Sequence, residues 1–180
     1  MALSANIFKA LVHISDMDRH YYQSHTLTLA QHPSENDLRM MVRLVIFAIH
    51  GHEDLSFTKG LSTQDEPELW QKNLSDEVEL WIELGQIEEK RLRQACGKSQ
   101  SVVIYTYNDK QAEPWYEQMQ NTFTRHKNLS LYHLDGEACQ QLTKLTRKNM
   151  ELNITIQDGD VFISSDDDNI TVTPQKRYPV

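Results

Sequence analysis

The sequence is poor in the residues that staple a chain, punctuate it or carry it through a bilayer. Its 180 residues hold two cysteines, Cys96 and Cys139, which are too far apart for a metal knuckle or redox pair, so reduced thiols are expected. No apolar run approaches the length of a membrane-spanning helix. Between Met1 and Asp16 the apolar positions are broken by Ser4, Asn6, Lys9 and His13, so no secretory signal is expected and the reading places the protein in the cytoplasm. On that reading the Asn-x-Ser/Thr triplets at Asn73, Asn128, Asn153 and Asn169 are chance matches. With six glycines, and no fixed-period repeat or Gly/Ser linker, the chain reads as one domain over residues 1–180.

Positive charge is also scarce. Against 26 Asp and Glu stand 18 Lys and Arg, a net charge of −8, which opposes a generic binder of the nucleic-acid backbone. Basic residues do cluster at Arg39 and Arg43, and again at Lys90, Arg91, Arg93 and Lys98, where solvated helix faces account for them. Absent too are a glycine-rich dinucleotide fingerprint, a phosphate-cradling loop, a nucleophile elbow and a paired-His zinc helix. His50 and His52 flank Gly51 without the three or four convergent ligands that zinc needs. Asp166, Asp167 and Asp168 lack the spacing of a calcium loop.

What is there is a patterned α/β chain, 39% hydrophobic and 24% charged, in the range of ordinary globular domains. Segments Ala5 to Ile14 and Tyr22 to Leu29 predict an opening β-hairpin with its turn at Asp16 to Arg19. Leu38, Met41, Val42, Val45, Ile46 and Ile49 predict a helix over 35–50, capped by Ser34 and Asp37 and stopped by Gly51. A short strand over 55–59 follows, and then Asp65, Glu66, Pro67 and Glu68 predict a helical turn. Val78 to Leu84 alternates with period two and ends at Gly85, which makes it a strand with Glu83 near its C-terminal end. A helix over 87–96, a buried strand at Val102 to Tyr105, a helix over 114–123 and a strand over 129–134 suggest parallel pairing. Asp158-Gly159 predicts a second, C-terminal hairpin, and Ile170 to Thr173 a further strand. The fold class is α/β, or mixed α+β: a mixed β-sheet flanked by helices.

Three acidic signals stand out: Glu35 at a helix start, Asp65 or Glu66 ahead of Pro67, and Glu83 at a strand end. Hard divalent ions take oxygen ligands from one or two carboxylates, with waters and substrate phosphate completing the shell. Capping accounts equally well for Glu35 and Asp65, and ordinary exposure on a half-buried strand accounts for Glu83.

The blocks His32-Pro33-Ser34-Glu35, Asp65-Glu66-Pro67-Glu68-Leu69-Trp70, Leu80-Trp81-Ile82-Glu83-Leu84-Gly85 and Ile156-Gln157-Asp158-Gly159, in this order, resemble the bacterial YaeQ family over essentially the whole chain. The resemblance implies a cytoplasmic protein with a variant of the PD-(D/E)xK, or restriction-endonuclease-like, core. By position it implies Glu35 as the first-helix acid, Asp65 or Glu66 as the acid of the "PD" element and Glu83 as the acid of the "(D/E)xK" strand, together holding Mg2+ or Mn2+. The motif lysine is missing. Gly85 stands two residues after Glu83, so Gln86 is expected to position the nucleophile, with Lys59, Lys90 or Arg91 as cations from other elements. The expected activity is metal-dependent hydrolysis of a phosphodiester or binding of nucleic acid. The alternative is a non-catalytic module that keeps the fold and binds a protein partner. Neither involves a membrane.

Overall fold

The computed structural model describes residues 4–59 and 63–180. The chain forms two compact units, one built from the residues up to Gly51 together with Glu137–Thr173, the other from His52–Gly136 and Pro174–Val180. Each has its own mixed β-sheet.

The first unit opens with the expected hairpin, β1 (Asn6–Asp16) and β2 (Tyr21–Gln31). They pair antiparallel across their full length. Alternation buries Ala10, Val12 and Ile14 of β1 and leaves their neighbours on the outer face. Helix α1 (Asp37–Ile49) lies against this hairpin. Its cap differs from the sequence expectation: Asn36, not Ser34, accepts the Arg39 N–H at 2.9 Å. Ser34 is instead held by a hydrogen bond to His32. Every residue from Met40 to Ala48 is buried, so this is a core helix, one of whose buried side chains, Arg43, carries a full charge.

Strands β8 (Asn149–Gln157), β9 (Asp160–Ser164) and β10 (Asn169–Val172) complete the sheet in the order β10-β9-β8-β1-β2. The β8–β9 turn is the expected one. Asp158 and Gly159 take φ of 53° and 80°, the doubly left-handed path of the tight hairpin turn that matches strand twist. β8 runs parallel to β1. The short helix α4 (Gly136–Gln141), continued by a 3-10 turn over Leu142–Leu145, was not foreseen.

The second unit has the sheet order β11-β7-β6-β5-β4-β3. β3 (Leu55–Phe57), β4 (Leu69–Lys72) and β5 (Val78–Leu84) form an antiparallel meander. Helix α2 (Glu89–Lys98) then crosses to β6 (Ser99–Thr106), and α3 (Asp109–Phe123) crosses to β7 (Leu129–His133); β5, β6 and β7 are parallel. β11 (Gln175–Tyr178) adds to β7 antiparallel. One sheet face meets α2 and α3 through Trp81, Leu92, Ile104, Trp115 and Phe123, all buried.

The helical turn expected at Asp65 to Glu68 does not form. Glu68 donates its N–H to the Ile82 carbonyl at 3.0 Å and accepts from the Thr58 N–H at 3.2 Å. The segment is therefore recruited into the meander, and pairing with β3 and β5 overrides the local capping signal.

Candidate functional site

The C-terminal ends of parallel strands are where open sheets present ligand crevices, and Glu83 lies at such an end. Solvent exposure does not account for it, because only 2% of the residue is exposed. Its Oε1 accepts the Trp81 indole N–H at 2.9 Å and the Arg91 Nε–H at 2.7 Å. Trp81 can reach it because i and i+2 share a strand face. Arg91 arrives from the first turn of α2, whose start is set by the reversal at Gly85. That glycine has a φ of 85°, a conformation disfavoured for a side-chain-bearing residue.

Arg91 does more than neutralise Glu83. Its Nη1 donates to the Gln64 carbonyl at 2.8 Å and its Nη2 to the Glu66 carbonyl at 2.7 Å. One guanidinium thus ties β5, α2 and the segment before β4 together. Burial pushes the Glu83 carboxyl above its ordinary range, the charge and hydrogen bond of Arg91 and the Trp81 hydrogen bond oppose that, and nearby Glu68 adds to it.

Glu68 is the acid that sequence reasoning missed. It is 5% exposed and sits one residue beyond the Leu69–Ile82 pair of the β4–β5 ladder, which sets it opposite Glu83. The signal that could have found it is its place directly after Pro67 at the head of a strand. The two acids chosen instead go elsewhere. Asp65 is exposed, and the Glu66 Oε2 accepts the Lys59 N–H at 3.2 Å. Gln86 is half-buried, and its Nε2 is enclosed without a hydrogen-bond partner among the described residues.

An open cavity of about 590 Å³ lies beside this cluster, lined by Gln64, Asp65, Glu88, Lys90, Arg91 and Gln94. The Arg91 side chain remains 25% exposed, so the guanidinium that holds Glu83 also belongs to the cavity wall. Glu88, the α2 N-cap, makes no side-chain cap bond.

In the first unit, Glu35 precedes α1 and is 7% exposed. Its Oε1 accepts from Arg39 Nη1 at 3.0 Å and Arg43 Nε at 2.8 Å, and its Oε2 from Arg43 Nη2 at 2.8 Å. Arg43 is 5% exposed and also donates to the Ala30 carbonyl at 3.2 Å. This is a forked, charge-assisted pair, and it supplies the compensation that a buried guanidinium requires.

These side chains do not fit a resident divalent ion as they stand. Glu35 has both oxygens committed to guanidinium groups, and the Glu83 oxygen nearest Arg91 already takes two donors. Among the described residues, no group of three or more His, Cys, Asp or Glu side chains is placed to hold a metal.

A family model described as YaeQ protein matches residues 1–174. The chain is 41% identical over 172 residues to "Uncharacterized protein YaeQ" of Escherichia coli (strain K12), covering 96% of this chain and 95% of that protein. The same identity and coverage hold for the protein of that description from Salmonella typhi. The crystal structure of YaeQ protein from Xanthomonas axonopodis pv. citri superposes with a TM-score of 0.93 at 42% identity, covering 97% of this chain and 98% of that one. For the YaeQ protein from Pseudomonas syringae the TM-score is 0.92 at 30% identity, with 98% and 97% covered.

Proposed function

The chain belongs to the YaeQ family, and from the arrangement around Arg91 we propose that it binds a phosphodiester, a nucleic-acid strand or a smaller molecule, in the 590 Å³ cavity at the end of β5, on a nuclease-like scaffold. The observation that carries this reading is the division of labour within one guanidinium. Arginine has five N–H groups, and three of those of Arg91 are engaged by Glu83, Gln64 and Glu66. The remaining two belong to a side chain already immobilised in the cavity wall. Such a group meets phosphate oxygens with little further ordering cost. Lys90 adds a second cation, and the α2 N-terminus adds amide N–H groups without a side-chain cap.

In this reading Glu83 is a positioning residue that sets Arg91. Asp65 and Glu88 on the same wall keep the attraction local, in agreement with a net charge of −8 that offers no long basic track.

Hydrolysis assisted by Mg2+ or Mn2+ is the second reading, favoured by the adjacency of two buried carboxylates, Glu68 and Glu83. It requires Glu83 to be released from Arg91 first.

Fluorescence anisotropy with a labelled oligonucleotide, competed by bis(p-nitrophenyl) phosphate, separates the readings. The expected result is salt-sensitive binding without added metal, weakened roughly tenfold in Arg91→Met, as the loss of one charge-assisted contact implies. Cleavage that depends on Mn2+ would move the conclusion to hydrolysis. No binding with or without Mn2+ would reject both.

A further inference from the structure

Strand β2 forms one edge of the first unit's sheet, and the way its backbone faces follows from β1. Successive residues of a strand direct their N–H and C=O groups to alternate sides. The Lys9 N–H of β1 donates to the Lys148 carbonyl at 2.8 Å, and just past the strand's other end Met17 donates to the Ile156 carbonyl at 2.8 Å. Odd-numbered residues of β1 therefore turn to β8, and even-numbered ones turn to β2. In the register Ala10 faces Leu27 and Val12 faces His25, so the odd-numbered residues of β2 answer them. Tyr22, Ser24, Thr26, Thr28 and Ala30 are left with their N–H and C=O groups aimed away from the sheet. At the far end of this row the Ala30 carbonyl accepts from Arg43 Nη2 at 3.2 Å, as that direction requires. Among the described residues, nothing else meets it.

Unpaired rows of this kind template pairing with another chain, and sheets guard against it with short edge strands, charge, proline or a bulge. The other three sheet edges carry such guards. β10 has four residues and β3 three. β11 has four, including Lys176 and Arg177, and its register against β7 is irregular. β2 has none of these devices. It runs for eleven residues without Asp, Glu, Lys, Arg, Pro or Gly, and its register against β1 is unbroken. Burial holds its histidine, His25, below the ordinary range, so the strand is uncharged at neutral pH.

We propose that β2 is a self-pairing edge, which joins two copies of this chain through an antiparallel β2–β2 ladder about a two-fold axis at Thr26 and makes their five-stranded sheets continuous. Three features select a second copy over a foreign strand. A two-fold interface brings one surface against itself, and this register opposes only outward-facing residues: Thr26 with Thr26, Ser24 with Thr28, and Tyr22 with Ala30. Each such pair can exchange N–H···O bonds, and threonine opposite threonine is a favourable side-chain pair. Secondly, bodies of net charge −8 repel one another, and an uncharged strand is where two of them meet without like charges opposed. Thirdly, Tyr22 is 54% exposed and Ile7 48%. Ile7 is the β1 partner of Ala30, so the Tyr22 ring of the second copy, lying across the small Ala30, comes within reach of Ile7. Self-pairing covers both side chains as well as the backbone row.

Analytical ultracentrifugation of the intact chain over a concentration series, with amide hydrogen exchange read residue by residue, tests this. The expected result is a mass that doubles as concentration rises, and exchange at Ser24, Thr26 and Thr28 that slows in step with it. The His25 and Leu27 amides, bonded to β1, are expected to exchange slowly at every concentration. Thr26→Pro deletes an outward N–H that β1 does not use, at an edge position where strands tolerate proline. Thr26→Lys sets two like charges at the axis. Each is expected to weaken the dimer roughly tenfold or more, because symmetry applies the change twice, while His25 and Leu27 stay protected and so report an intact strand. A chain that remains monomeric at every concentration, leaving the edge to a strand of another protein, would overturn the proposal. So would a dimer whose Ser24, Thr26 and Thr28 amides exchange freely, or one that persists undiminished in both variants.

Discussion

Glu35 and Glu83 are both buried acids held by arginine, and the contrast between them separates a charge pair closed on itself from one whose arginine reaches a cavity wall. Glu35 meets Arg39 and Arg43, four and eight residues onward on the adjoining helix, and both its oxygens are consumed. The Arg43 side chain is 6% exposed, so that pair is closed on itself. Glu83 meets an arginine from a different element, shares it with two backbone carbonyls, and leaves it one-quarter exposed on a cavity wall. A guanidinium sealed on all sides can only stabilise. One that is anchored on one side and open on the other can also bind.

The largest effect that this contrast predicts is on the closed side. Glu35→Gln strands the buried Arg43 charge, and removing one partner of such a pair costs about 3–5 kcal/mol. Urea denaturation is expected to show a lower midpoint at unchanged slope. A shift no larger than that of an exposed ion pair would mean that Glu35 is not the counter-ion of a buried arginine and would return it to the list of free acids.

The next effect concerns pH in the same unit. His50, at the end of α1, is pushed down to about 4, first by burial and then by the charge of Arg19, with Asp16 opposing. Its folded value lies below the ordinary 6.5, so the unfolded chain takes up the proton first as pH falls. Stability is then full above 6.5 and declines towards 4, by up to about 3 kcal/mol if fully expressed. Hydrogen exchange of α1 across this range, compared with His50→Gln, checks it. Equal pH sensitivity of the wild type and the variant would contradict the assignment.

Much of this was legible in the sequence wherever a periodic pattern coincided with a local signal. The alternation of Val78 to Leu84, ended by Gly85, located β5 to the residue, and Asp158-Gly159 located the β8–β9 turn. What failed were features decided at long range. Asp65-Glu66-Pro67-Glu68 carries every local mark of a helix start, yet Glu68 bonds to Ile82 across the meander. That misreading also hid Glu68 as the neighbour of Glu83. The β1–β8 parallel pairing joins residues some 140 positions apart, such as Ala10 and Met150, and no local signal announces it. β11 was missed because Gln175-Lys176-Arg177-Tyr178 is a polar edge strand, the composition that sheets use to blunt an edge. Arg91 stood among the three cations considered for the missing lysine, but no local signal announces its hydrogen bond to Glu83.

The smallest expected change in stability is the one that tests the account most directly. Glu83→Gln keeps an acceptor for Trp81 and Arg91, so a cost of about 1 kcal/mol or less is expected. Its effect on ligand is decisive: with the opposing negative charge removed and Arg91 still anchored, the variant is predicted to bind an oligonucleotide or bis(p-nitrophenyl) phosphate several-fold more tightly than the wild type in the absence of metal. Loss of binding in Glu83→Gln, together with Mn2+ dependence in the wild type, would contradict an arginine-based site and make Glu83 a metal ligand instead.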